Sequence, residues 1–127
     1  CFYSTVVRPV LEYACPVCHS SLTAAQSESL ELLQKRAMQI IHPQLDYQTA
    51  ILLDDLDTLQ SRRERLMANF FERNVLDTKS CLHYLLPEKR NLDIICRLRN
   101  PKTFKHLICR TEKFRHSFLP HCLSNFE

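Results

Sequence analysis

Apolar residues along this chain fall into groups at helical spacing, separated by proline and short polar residues, and the grouping fades beyond Lys89. Residues 2–18 are largely apolar and predict a helix, with Pro9 near a kink or first turn and Pro16 bending or ending it. Thr23-Ala24-Ala25-Gln26 has the form of a capping box, with Thr23 as N-cap and Gln26 three residues on. Leu30, Leu33, Ala37, Ile40 and Ile41 then follow helical spacing, and His42-Pro43 stops that helix. Asp46 is placed to cap a short helix over 47–56, whose apolar residues include Tyr47, Ala50, Ile51, Leu52 and Leu53.

Thr58 is placed to cap a longer helix reaching about Asp77. Its core face would be Leu59, Leu66, Met67, Phe70, Phe71 and Val75, with Arg62, Arg63, Arg65 and Arg73 pointing elsewhere. Ser61-Arg62-Arg63-Glu64 fits a second capping box and leaves the start open. Residues 81–86 predict one short turn before Pro87. Residues 90–127 look irregular, with one short strand or turn around 104–109 and another at 114–119. The expected fold class is mainly α: a small helical bundle over 1–86, followed by a basic, weakly structured C-terminal extension over 87–127.

Composition sharpens this picture. The 127 residues make one domain or a piece of one, and the start at Cys1 without an initiator Met reads as a fragment. There is no glycine, where ordinary usage of about 7% predicts roughly nine. Tight hairpins and left-handed helix caps are hard to build without it, so the chain favours helices joined by Pro, Asn, Asp and Ser. The formal charge of +3 hides a division. Residues 1–78 hold seven Lys/Arg against ten Asp/Glu, whereas residues 79–127 hold ten against four. A basic C-terminal part suits phosphate binding. Seven cysteines without a secretory signal imply reduced thiols and an intracellular protein, nuclear and cytoplasmic and not secreted. No run approaches the ~18 apolar residues of a membrane span, so no membrane partner is expected.

The sharpest local motif is Cys15-Pro16-Val17-Cys18-His19, which satisfies the C-x-x-C-H pattern of haem attachment. Three fixed residues in a chain rich in Cys and His are weak support. Zinc would use Cys15, Cys18 and His19 with a fourth ligand from Cys81, His83, Cys109, His121 or Cys122, but those spacings do not match the common fingers. The plain alternative is a small buried thiol. A nucleophile elbow and a phosphate loop both require glycine and are excluded. Asp54-Asp55 is the one acidic doublet and sits at a helix end. The expectation is therefore no catalytic residue, no metal site and no cofactor. Basic clusters recur at Lys35-Arg36, Arg62-Arg63, Lys89-Arg90 and through Lys102, Lys105, Arg110, Lys113 and Arg115, interleaved with Tyr84, Phe104, Phe114, His116 and Phe118. Such a pattern suits single-stranded or hybrid nucleic acid, although aromatics at this spacing also pack into cores.

Several ordered strings carry a resemblance. They are Arg8-Pro9-Val10-Leu11-Glu12-Tyr13-Ala14-Cys15-Pro16-Val17, His19-Ser20-Ser21-Leu22-Thr23 and Leu30-Glu31-Leu32-Leu33-Gln34-Lys35-Arg36-Ala37 with Ile40-Ile41. Leu56-x-Thr58-Leu59-x-x-Arg62-Arg63-Glu64-x-Leu66 and Thr111-Glu112-Lys113-Phe114-Arg115-His116-Ser117-Phe118-Leu119-Pro120 follow in order. Together they resemble the segment after the polymerase palm, the thumb and post-thumb region, in reverse transcriptases of LINE-class, jockey-like non-LTR retrotransposons. The resemblance implies a non-catalytic piece of an RNA-directed DNA polymerase that helps grip template–primer, with RNA or RNA–DNA hybrid and the palm domain as partners. The parent enzyme would need a divalent metal such as magnesium at aspartates that are not in this chain. Lys35, Arg36, Arg62 and Arg63 match positions usually basic in that family and are the first candidates for phosphate contact. Lys113 and Arg115 come second. An internal salt-bridge network is the competing role for Arg62-Arg63-Glu64. Cys18 stands where the family usually has tryptophan, and Asp55 where a glycine often ends the short helix. These departures suggest a decayed or truncated copy, and the alternative reading is a relic or reused helical interaction module.

Overall fold

The computed structural model describes residues 2–99 and 101–126, with Ile94 described in its backbone only. The fold is mainly α, and the β pairing among the described residues is an antiparallel bridge between Lys89 and Phe104. A π-helical turn, Tyr3–Val7, runs into α1, Arg8–Leu11, with Pro9 in its first turn. Ala14 takes a left-handed conformation (φ 52°), and α2, Cys15–Cys18, follows. Pro16 therefore starts a helix instead of ending one, because its missing N–H falls where a first turn has no acceptor to offer. A 3₁₀ turn, His19–Ser21, leads to the longest helix.

That helix, α3, spans Ala24–Ile41 and opens on a complete capping box. Gln26 N donates to Thr23 Oγ1 at 3.3 Å, and Thr23 N donates to Gln26 Oε1 at 3.0 Å. Its buried face differs from the expected one. Gln34 and Met38 are buried, while Leu33 is 54% and Ile40 70% exposed. Aliphatic residues occupy both sides of this helix, so periodicity alone does not choose the inward side. The choice is made by polar contacts around Gln34.

Helix α4, Tyr47–Leu53, is shorter than the expected 47–56. It ends in a Schellman closure: Leu56 N donates to Ile51 O at 2.8 Å and Asp55 N to Leu52 O at 3.2 Å. Asp55 holds the left-handed position (φ 52°) that glycine ordinarily fills. At the other end, Asp46 is the N-cap residue without a capping bond to the backbone, and it instead accepts from Thr49 Oγ1 at 3.3 Å. Helix α5, Leu59–Phe70, is capped by Thr58, which accepts from Ser61 N at 3.3 Å. The helix continues as a π turn, Phe71–Val75.

A 3₁₀ turn at His83–Leu85 matches the expected turn before Pro87. Beyond it come α6, Leu92–Ile95, α7, Glu112–Arg115, and α8, Phe118–Asn125. The strand or turn expected at 114–119 is thus helical: Thr111 caps α7 by accepting from Phe114 N at 3.2 Å, and Pro120 lies within the first turn of α8, where it costs no backbone bond.

Two apolar clusters hold the elements together. Tyr3, Met38, Ala50 and Ile51 form one, joining the N-terminal turn to α3 and α4. Met67, Phe71, Val75, Phe104, Cys122 and Leu123 form the other, so the basic segment contributes to the core through α8 and Phe104. Phe118 packs edge-on against Phe70 and Phe71, with centroids 5.8 and 6.4 Å apart. Beside the first cluster lies a polar hub. Gln34 is 1% exposed; its Oε1 accepts from Tyr3 Oη at 2.6 Å, and its Nε2 donates to Tyr47 Oη and to Asp57 O, both at 3.0 Å. Tyr47 Oη donates in turn to Glu31 Oε1, and Glu31 Oε2 accepts from Leu59 N at 3.0 Å. Burial pushes the Tyr3 phenol up to about 12 and raises that of Tyr47, so both stay protonated donors.

Gln34→Ala leaves the Tyr3 hydroxyl and the Asp57 carbonyl without their partner. It is expected to cost about 2–4 kcal/mol, read as a lower urea midpoint at unchanged slope. A loss below ~0.5 kcal/mol would show that the hub does not hold the bundle.

Candidate nucleic-acid interface

The six basic candidates are dispersed over the fold. Arg62 lies on α5 and donates from Nε to Glu12 Oε1 at 3.0 Å, sharing that carboxylate with Arg8 at 2.9 Å. Arg63 is 3% exposed, which differs from the outward direction expected for it. Its carbonyl accepts from the Cys15 thiol at 3.5 Å, and its Nε has no partner. The inward turn follows from α2, which packs against α5 and closes over this position. Arg62 thus joins α5 to the N-terminal segment through an ion pair, part of the salt-bridge role weighed for Arg62-Arg63-Glu64, whereas Arg63 joins it through its backbone carbonyl. Arg36 is exposed and donates to Gln39 Oε1 at 3.3 Å. Lys35 holds its ammonium 5.4 Å from the Tyr47 ring centroid, a cation–π contact. Lys113 and Arg115 are exposed on α7, with Arg115 paired to Glu112 at 2.9 Å.

Lys35 also lines a cleft of about 690 Å³ between the His19–Ser21 turn, α3, α5 and the end of α8. Glu28, Glu31 and Glu64 share that lining with His19 and His121. Burial holds both histidines below their ordinary range, so they are neutral near pH 7. Three carboxylates and neutral imidazoles make this cleft a poor phosphate site.

The Cys15-x-x-Cys18-His19 motif is divided by burial. Cys15 is fully buried, and burial pushes its thiol up to about 11, away from the thiolate that metal ligation needs. His19 Nδ1 is buried without a partner. Among the described residues, no group of three or more His, Cys, Asp or Glu side chains is placed to hold a metal ion. No helix there is long and apolar enough to cross a membrane.

The basic C-terminal segment is arranged differently. The Lys89–Phe104 bridge is made by two bonds, Arg90 N to Thr103 O at 2.8 Å and Lys105 N to Glu88 O at 3.0 Å. It sets the basic residues around 90 beside those around 105. Lys102 Nζ donates to Leu123 O at 3.0 Å and Ser124 O at 2.8 Å, filling the open carbonyls at the end of α8. These residues were visible as basic runs, but their meeting depends on a pairing between 88–90 and 103–105 that no local pattern announces. No family model matches this chain, and neither does any curated protein or solved structure.

The neutral histidines predict a pH response. His19 feels the charges of Arg63, Glu64 and His121; His121 feels those of His116 and Glu64. Their folded pKa lies below the unfolded value of about 6.5, so the unfolded chain binds more protons in that window. Stability is fully present above about pH 6.5 and is lost as pH falls through the folded values. The urea midpoint should drop between pH 7 and pH 5, and His121→Gln should flatten the drop. An unchanged profile in the variant would contradict this assignment.

Proposed function

We propose that this chain is a non-catalytic helical segment of an RNA-directed DNA polymerase of the non-LTR retrotransposon class, and that it helps grip template–primer by contact with phosphates. The ordered sequence strings support the class. One observation supports the grip: residues 79–127 carry ten Lys/Arg, and of these only Lys105 and Arg115 are in ion pairs among the described residues. In residues 1–78, by contrast, Arg8 and Arg62 share Glu12, Arg65 pairs with Asp57 at 2.7 Å, and Arg63 is buried. Unpaired cations on the C-terminal segment are available to displace counterions from a polyphosphate. Arg36, Lys113 and Arg115 are the exposed members of the candidate set outside the acidic cleft that Lys35 lines; Arg62 pairs with Glu12 and Arg63 is buried. Divalent-metal chemistry belongs to the palm of the parent enzyme in this proposal, and no residue here is assigned to it.

A second reading, a helical module that packs on another protein domain such as the palm, is favoured by the aliphatic outer faces of α3 and α4. Leu33 and Ile40 are more than half exposed, and so are Leu52 and Leu53.

Fluorescence anisotropy with a labelled RNA–DNA hybrid separates the two. The grip predicts binding at 50 mM salt that falls about sixtyfold or more by 200 mM, with a log–log slope of about −3 or steeper. Absent binding at low salt, with concentration-dependent self-association, would remove the grip and leave the docking module.

A further inference from the structure

We infer that Arg90, Lys102, Lys105, His106 and Arg115 form a binding pocket for a phosphate group. The pocket encloses about 260 Å³ and, unlike the acidic cleft on α3, has no carboxylate in its lining. Four cationic residues and a histidine line one small space, partly walled by Phe104 and Leu123, which are each 8% exposed. Apolar walls limit screening by water, so charges at such a site act more strongly than on an open surface.

The positions of these cations are set by backbone. The bond from Arg90 N to Thr103 O fixes Arg90 beside the loop that carries Lys102 and Lys105. Lys102 is held by its two carbonyl acceptors at the end of α8, and the third ammonium hydrogen has no partner among the described residues. Arg90 has no side-chain hydrogen bond or ion pair among the described residues, although it is only partly exposed. Its planar fork is suited to two phosphate oxygens at once. Lys105 and Arg115 hold exposed carboxylates, Glu88 at 2.5 Å and Glu112 at 2.9 Å. Surface pairs of this kind are weak and exchange readily for a doubly charged anion. The pocket is too small for a drug-sized ligand and suits one phosphate with part of its sugar. Its chemistry is common to free phosphate and to a nucleic-acid backbone; the backbone as source rests on the gripping role proposed above.

The test uses the whole chain and two probes, inorganic phosphate followed by ³¹P line broadening and a labelled RNA–DNA hybrid followed by anisotropy. Arg90→Gln removes a charge that has no ion pair or side-chain hydrogen bond among the described residues, and Lys105→Gln is a second variant at an exposed pair. Far-UV circular dichroism verifies that both fold. Arg90→Gln should abolish phosphate broadening, weaken hybrid binding about fivefold or more, and reduce the magnitude of the salt slope by about one. Lys35→Gln, in the acidic cleft, should change neither probe. If both probes respond to Arg90→Gln as they do to the parent chain, the pocket is refuted while the grip stands. If phosphate broadening depends on Arg90 but the hybrid does not bind, the pocket stands as a free-phosphate site and the grip falls. Binding of neither probe refutes both.

Discussion

The fold depends on one buried amide. Gln34 connects the N-terminal turn through Tyr3, α4 through Tyr47 and the start of α5 through the Asp57 carbonyl. A buried polar group is costly unless it is fully partnered, so this network tolerates few arrangements. Only one rotation of α3 places Gln34 inside, and that rotation carries Leu33 and Ile40 outward. The exposed aliphatic face is therefore a consequence of the hub, and it gives the helix a surface a neighbouring domain can cover. Glu31, drawn into the same network, leaves Lys35 beside an acidic cleft.

Charge is sorted on the same frame. In the first part of the chain arginines bind to carboxylates, as Glu12 joins Arg8 to Arg62 and Asp57 pairs with Arg65. In the later part the backbone does the joining, through the Lys89–Phe104 bridge and the bonds from Lys102 to the end of α8. Most cations there have no ion pair among the described residues. Folding α8 into the Met67–Phe71–Val75 cluster fixes this basic surface to the bundle.

Much of the helical frame was legible in sequence because capping is local. Thr23 with Gln26, Thr58 ahead of Leu59, and the His42-Pro43 stop all act within a turn of the residues that announce them. The core face of α5 was legible too, since Leu59, Met67, Phe71 and Val75 have few apolar competitors on the other side. The face of α3 was not, because aliphatics surround it and a glutamine decides its orientation. Pro16 illustrates the ambiguity of proline, which ends one helix and begins another with equal ease. Arg63 was hidden because its burial comes from α2, 48 residues away in sequence from the position it covers. The basic pocket was half visible: its residues lay in charged runs, but their convergence required a long-range pairing.

The most direct measurement is an amide chemical-shift map of the ¹⁵N-labelled chain titrated with an RNA–DNA hybrid. The account predicts perturbations concentrated at residues 88–90, 102–106 and 112–116, with α3 and α4 little changed. Perturbations confined to the outer faces of α3 and α4, or none at saturating hybrid, would contradict a phosphate grip centred on the C-terminal segment.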